Sequence, residues 1–248
     1  QRASRSGVTP PDSLGFDLEP VRESLSIDSD PAEATVYLNG DRVGATPWSE
    51  QRPVTESYDV RIEKDGYDAV TRSGVSPPAS ISPSLDAQQG TLSVDSDPAE
   101  ATVYLNGDRV GVTPWSGDRP VTESYDVRVE KDGYDAATRS GVTPPSSVDL
   151  NLDSQRGTLS IDSSPAEATV YLDGNRVGVT PWSGDRPVTE SYDVRVEKDG
   201  YDAATRSGVS PPNSLDLDLS AERDTISVDS DPAEATVYLN GDRVGATP

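Results

Sequence analysis

Apolar and polar residues alternate over short stretches along most of the chain. Leu92 and Val94 alternate with Ser93 and Asp95, and Val103 and Leu105 with Thr102 and Tyr104. Tyr125, Val127 and Val129 alternate with Asp126, Arg128 and Glu130, and Val148, Leu150 and Leu152 with Asp149 and Asn151. A period of two puts one row of side chains in a core and the other in water, which is the mark of a half-buried strand. No stretch keeps a helical apolar stripe for three turns, so the pattern predicts essentially no helix. The breaks between runs agree. Asn106-Gly107, replaced further on by Asp173-Gly174, predicts a type I′ hairpin, because both residues tolerate positive φ. Lys131-Asp132-Gly133 predicts a second hairpin closed in the same way. Asp97-Pro98-Ala99-Glu100 predicts a turn, and Pro144-Pro145 a break before the last strand.

The alternation itself repeats. Tyr37, Tyr104, Tyr171 and Tyr238 are 67 residues apart, as are Trp48, Trp115 and Trp182, and Lys64, Lys131 and Lys198. Residues 91–157 and 158–224 differ at 12 of 67 positions, with no insertion. The chain therefore reads as three whole repeats, 24–90, 91–157 and 158–224. A tail of one repeat precedes them at 1–23 and a head of another follows at 225–248. In the tail, Ser6-Gly7-Val8-Thr9-Pro10-Pro11 mirrors Ser73-Gly74-Val75-Ser76-Pro77-Pro78. The predicted fold is all-β: six or seven short strands per repeat, forming small antiparallel β-sandwich domains in tandem, as beads on a string. A unit of this size is within the range that folds alone and exceeds the usual solenoid repeat. The predicted core of one bead is Leu92, Val94, Val103, Leu105, Val110, Val127, Val129, Val148, Leu150 and Leu152. Trp115, Tyr125 and Tyr134 cover its ends, and links such as Asp153–Gly157 are short. The head at 225–248 lacks its later strands and in isolation would leave Ile226, Val228, Val237 and Leu239 uncovered, so either the missing part exists in the natural protein, which is the expectation, or another chain donates strands. With Gln1 in place of Met and no leader, the chain reads as a window of a longer array.

Composition narrows the chemistry. There is no Cys and no His, which excludes zinc fingers, Ser-His-Asp triads, Cys nucleophiles and disulfides. No arrangement pairs a nucleophile with a base, so the sequence points away from an enzyme. No apolar run approaches the ~20 residues that span a bilayer. The net charge of −23 has the wrong sign for a nucleic-acid partner. The excess is distributed: residues 91–157 carry 12 acids and six bases. Spread charge of one sign repels itself unless salt screens it, so the surface resembles that of halophilic proteins.

Ser96-Asp97-Pro98-Ala99-Glu100-Ala101-Thr102-Val103-Tyr104-Leu105-Asn106-Gly107, followed by Gly111-Val112-Thr113-Pro114, resembles the PEGA domain. The later Tyr125-Asp126-Val127-Arg128-Val129-Glu130-Lys131-Asp132-Gly133-Tyr134 is similar to that family's Tyr-x-Val-x-Val hairpin ending in Gly-Tyr. One residue departs: the family's Pro-Glu-Gly-Ala reads Pro-Ala-Glu-Ala here, so the turn need not use positive φ at Glu100. The resemblance implies a β-rich module of prokaryotic cell-surface proteins, archaeal surface-layer proteins among them, and no catalytic activity. Repetition of one unit argues for extension, avidity or lattice building. The expected function is a segment of an extracellular fibre, stalk or surface-layer-like filament of a halophilic, archaeal prokaryote that self-associates at the cell surface. The alternative is a multivalent adhesin for glycans or neighbouring cells.

Few residues are candidates for a site. Asp28-Ser29-Asp30, Asp95-Ser96-Asp97 and Asp229-Ser230-Asp231 each offer two carboxylates to Ca²⁺, although the third repeat reads Asp162-Ser163-Ser164. A solvated acidic surface is the simpler reading, and no cofactor is required. Trp48, Trp115 and Trp182 sit in Pro-Trp-Ser loops and are either sugar-stacking platforms or packing caps; packing is favoured. Lys131 is a candidate for an isopeptide bond to Asn106 or Asp173, and more simply a solvated turn residue.

Overall fold

The computed structural model describes residues 6–7 and 18–248, so most of the tail repeat, including Val8-Thr9-Pro10-Pro11, lies outside the described residues. Two compact units result. The first is Gln1–Lys131 with Ala136–Leu152, and the second is Asp132–Asp135 with Asp153–Pro248.

In the first unit, the first repeat contributes β1 (Arg22–Ile27), β2 (Thr35–Leu38), β3 (Asp41–Ala45) and β4 (Trp48–Pro53). Its remaining strands are β5 (Tyr58–Glu63), β6 (Val70–Val75) and β7 (Ala79–Ile81). The second repeat has β8 (Gln89–Asp97), β9 (Thr102–Leu105), β10 (Asp108–Val112) and β11 (Trp115–Pro120). It continues with β12 (Tyr125–Glu130), β13 (Ala137–Val142) and β14 (Ser146–Asn151). In the second unit the third repeat runs β15 (Arg156–Ser164), β16 (Thr169–Leu172), β17 (Asn175–Val179) and β18 (Trp182–Pro187). It ends with β19 (Tyr192–Glu197), β20 (Ala204–Val209) and β21 (Asn213–Asp218). A hairpin of β22 (Thr236–Leu239) and β23 (Asp242–Ala246) follows. Each whole repeat thus has seven strands and no helix among the described residues. The strand opening the second repeat starts at Gln89, ahead of Thr91, because Gln89 and Gly90 already pair with Pro120 and Arg119.

The seven strands form two sheets. In the second repeat one sheet has the order β10-β9-β12-β13 and the other β11-β8-β14. The first and third repeats copy this arrangement. Sequence alternation predicts which residues meet between the sheets. In the first repeat, Leu25 and Ile27 of the three-stranded sheet share one core with Val36, Leu38, Val60 and Ile62 of the four-stranded sheet. The third repeat has its own core around Leu159, Ile161, Val170 and Val196. Eight of the ten core positions predicted for the second repeat are buried. Val110, on edge strand β10, and Leu150, on edge strand β14, are half-buried.

Three features depart from the sequence reading. The outermost strand of the smaller sheet, β14, runs parallel to β8, within an otherwise antiparallel sandwich. The Lys-Asp-Gly turn does not close a two-residue hairpin as Asn-Gly does. Tyr67 N donates to Lys64 O, and Tyr67 then bridges Ala87 of the link before β6 begins. The third is Glu100, whose φ is 61°, so the left-handed conformation persists where the family's Gly is replaced. Glu33, Glu167 and Glu234 share it. The Asn-Gly expectation holds at backbone level: φ is 51° at Asn106 and 92° at Gly107.

Candidate functional site

The segment carrying the most specific sequence pattern is also the most densely bonded. In β8 the alternation that turns Leu92 and Val94 inward turns Ser96 inward too, at the point where apolar side chains stop. Ser96 Oγ donates to Pro98 O at 2.8 Å and lies 2.7 Å from Thr113 Oγ1. Ala101 N donates to Thr113 Oγ1 at 3.1 Å. A hydroxyl has one proton. With Ser96 donating to the carbonyl, Thr113 donates to Ser96 and accepts from Ala101, and every polar atom in the cluster is used. Glu100 N to Thr113 O and Thr113 N to Ala101 O complete the clasp. The same Ser–Thr contact joins Ser29 to Thr46, Ser163 to Thr180 and Ser230 to Thr247. It explains why the Ser-x-Pro and Gly-x-Thr-Pro motifs travel together: one closes on the other.

Lys131 completes this corner. Its Nζ donates to Ala99 O at 2.7 Å, and Lys64 and Lys198 do the same to Ala32 O and Ala166 O. Asn106, the partner considered for an isopeptide bond, is engaged elsewhere, its Oδ1 accepting from Asp126 N; Asp173 Oδ1 accepts from Asp193 N. The lysine is therefore a clip across the turn and not a free solvated residue.

The aspartates flank the clasp from outside. Asp95 Oδ1 accepts from Ser96 N at 2.8 Å, and Asp28, Asp162 and Asp229 repeat this bond. The second members, Asp30, Asp97 and Asp231, are exposed. In register, Asp95 lies beside Asp149 and Asp97 beside Asn151 on β14, and Asp162 beside Asp216 on β21. Among the described residues no three acidic side chains converge as a metal site. The third repeat keeps the Ser of Asp-Ser-Asp and loses the second acid, which separates the structural residue from the charged one.

The tryptophans are half-buried. Trp48 and Trp182 pack against the cores of their repeats. The rings of Trp115 and Trp182 lie so close to Gly111 and Gly178 that a Cβ there would be 2.5 Å from the ring. Arg119 and Arg186 stack over the same rings at 5.3 and 5.4 Å. Tyr58, Tyr125 and Tyr192 are buried, and each hydroxyl donates to a glutamate two residues earlier. Burial first, and the Glu190 carboxylate second, push the Tyr192 hydroxyl up to about 12.

A profile of one family matches residues 22–78, 89–154, 156–213 and 223–248, described as the PEGA domain. The chain belongs to the PEGA domain family. Its four matches begin at or just before the expected repeats, and the Ser–Thr clasp recurs once in each. No curated protein matches the chain. Among solved structures, the Bacillus anthracis TIE protein is 14% identical, with a TM-score of 0.47 over 82% of this chain and 51% of its own. The PEGA chain thus spans about half the length of that protein. BcpA, the major pilin subunit of Bacillus cereus, is 11% identical, with a TM-score of 0.28 over 82% of this chain and 99% of its own.

Sequence reasoning missed Ser96 and Thr113 as the working residues of the PEGA motif. The signal was present: a Ser after an Asp and two residues before a Pro in every copy, and a Thr 17 residues later. It also missed a polar groove on the outer face of the larger sheet. There Tyr37, Arg61, Glu63 and Lys64 line a cavity, with Arg61 over the Tyr37 ring at 5.8 Å. Tyr171, Glu197 and Lys198 line its counterpart in the third repeat.

Proposed function

We propose that this chain is a structural segment of an extracellular, cell-surface protein, built by copying one self-contained β module into a fibre, stalk or surface-layer-like filament of a halophilic archaeal prokaryote. The observation that carries the reading is the use made of the polar residues. The side chains repeated in every whole copy, Ser96, Thr113 and Lys131 in the second repeat, are spent on holding a turn and do not converge on a reacting group. The salt habitat is supported by the surface. Against 44 acids, four ion pairs occur among the described residues, each between an Arg and a Glu two positions apart on one strand: Arg52–Glu50, Arg61–Glu63, Arg128–Glu130 and Arg195–Glu197. Exposed pairs of this kind contribute little and leave most of the acid uncompensated. Electron microscopy of the producing cells, with antibody against the chain, tests the proposal. Labelled filaments or a lattice with an axial spacing of one repeat support it; label confined to the cell interior refutes it.

The multivalent adhesin is the second reading, favoured by one observation: the groove beside Tyr37 recurs beside Tyr171. A glycan array with strong hits that are lost on Tyr→Ala substitution at both positions would favour it. Calcium at Asp28/Asp30, Asp95/Asp97 or Asp229/Asp231 would rest on two carboxylates per repeat. A rise in melting temperature at low-millimolar calcium in high salt supports it, and no shift retires it.

A further inference from the structure

The link between the first two repeats has a bonding pattern of its own, inside the first compact unit. Leu85 N donates to Asp30 O at 2.7 Å, and Asp68 N donates to Asp86 O at 2.8 Å. Ala87 bridges Tyr67. Gln88 N donates to Gly66 O at 2.8 Å, and its side-chain Nε2 donates to Tyr67 O at 3.2 Å. Gln88 O then accepts from Val121 N of the second repeat at 2.9 Å. The following residue, Gln89, already belongs to β8. From Leu85 to Gln89 every residue is thus engaged through its backbone, and Gln88 is held by one repeat through its N–H and by the next through its carbonyl. No residue of the link is left as a free hinge.

The contact surfaces match this bonding. Gly66 has φ of +80°, and a Cβ built on it would sit 2.7 Å from Thr122 Cγ2 and 3.5 Å from Val121 Cγ2. The glycine is required twice, for its backbone conformation and for the close approach of the next repeat. A chance contact between tethered beads would need neither. The second unit contains the same set: Gln155 N donates to Gly133 O, Val188 N donates to Gln155 O, and a Cβ on Gly133 would meet Thr189 Cγ2 at 2.8 Å.

We infer that the first and second repeats move as one rigid body, locked by a joint of Gly66, Gln88, Val121 and Thr122. Each repeat keeps a separate core, so the stiffness comes from the joint and not from a shared interior. The inference does not depend on where the protein acts.

The chain has no Cys, so two introduced labels are unambiguous. Asp41→Cys and Asp108→Cys place spin labels on exposed hairpins of the two repeats of the full 248-residue chain. Electron–electron double resonance should give one narrow distance distribution. Inserting Gly-Ser-Gly-Ser between Ala87 and Gln88 should broaden it at least about twofold, and Gly66→Val should broaden or shift it. Circular dichroism and tryptophan emission unchanged from the parent would show that the repeats themselves remain folded. If Gly66→Val does not fold, the insertion alone decides. A parent distribution as broad as that of the insertion variant overturns the inference, as does an insertion variant as narrow as the parent.

Discussion

Glu100→Gly should stabilise the second repeat, although it removes a side chain and adds chain entropy to the unfolded state. The left-handed conformation at Glu100, φ 61°, costs a residue with a Cβ about 1–2 kcal/mol. Glycine removes that cost and loses roughly 0.4–1 kcal/mol through its freer unfolded chain. The Glu100 side chain is exposed, so its deletion uncovers no core. The neighbouring bonds, Glu100 N to Thr113 O and Lys131 Nζ to Ala99 O, involve backbone atoms that glycine keeps. The net gain is about 0.5–1 kcal/mol, which for a domain of this size raises the melting temperature by about 2–8 °C. Glu100→Ala is the control, since it removes the same carboxylate but keeps the Cβ. Placing Glu33→Gly, Glu100→Gly and Glu167→Gly in one chain makes the shift readable when all repeats melt together. Calorimetry in molar salt, where loss of a negative charge matters least, is the assay. An Ala variant as stable as the Gly variant would show that the turn stores no backbone strain, and the reasoning would fail.

Thr113→Val keeps the shape of the clasp but strands Ala101 N–H and a Ser96 lone pair, and should cost about 1–3 kcal/mol in urea unfolding. Adding Ser96→Ala should cost less than the sum of the single changes; strict additivity would mean the hydroxyls do not act together. For Tyr192 both states hold the proton below pH 10. Above it the unfolded chain loses the proton while the folded phenol keeps it up to about 12, so stability should decline across that window. Absorbance at the phenolate band should show late-titrating tyrosines, and Glu190→Gln should bring one of them earlier; simultaneous titration of all tyrosines near 10 would refute the burial argument. Asp149→Asn neutralises one of two carboxylates, Asp95 and Asp149, paired in register on neighbouring strands and should stabilise by about 0.5 kcal/mol at low salt. At 1 M salt, with screening over about 3 Å, the gain should fall to about 0.1 kcal/mol; a gain independent of salt would assign it to something other than repulsion.

Particular residues show what could and could not be read before the fold was known. Leu92, Val94, Val103 and Val127 announce their burial because period two is a local property, written within six residues. Asn106-Gly107 announces its turn because two adjacent residues suffice to set it. The parallel course of β14 beside β8 is different: Val148, Leu150 and Leu152 alternate identically whichever way the strand runs, so direction leaves no trace in the pattern. Glu100 misled for a related reason. Its backbone conformation is imposed by Thr113, Ala101 and Lys131, and a substitution table reads only the residue itself.

The same distinction separates charge from function at the Asp-Ser-Asp triplet. Three adjacent polar residues at a strand end invite a cation reading, because acids are the conspicuous members. The strand's own alternation already argued otherwise. If Val94 points inward, Ser96 must as well, and Asp95 and Asp97 must face water. A Ser at the margin of a core needs a hydrogen-bond partner, and only a residue distant in sequence can supply one when the local backbone is committed to the sheet. The Thr before the second Pro is buried, small and present at the same offset in each copy, so the pair could have been proposed from periodicity and satisfaction alone. What could not be proposed is Gln88. Its importance lies in its N–H and carbonyl, which any residue other than proline would carry, and the side chain that names it makes only one of its three bonds.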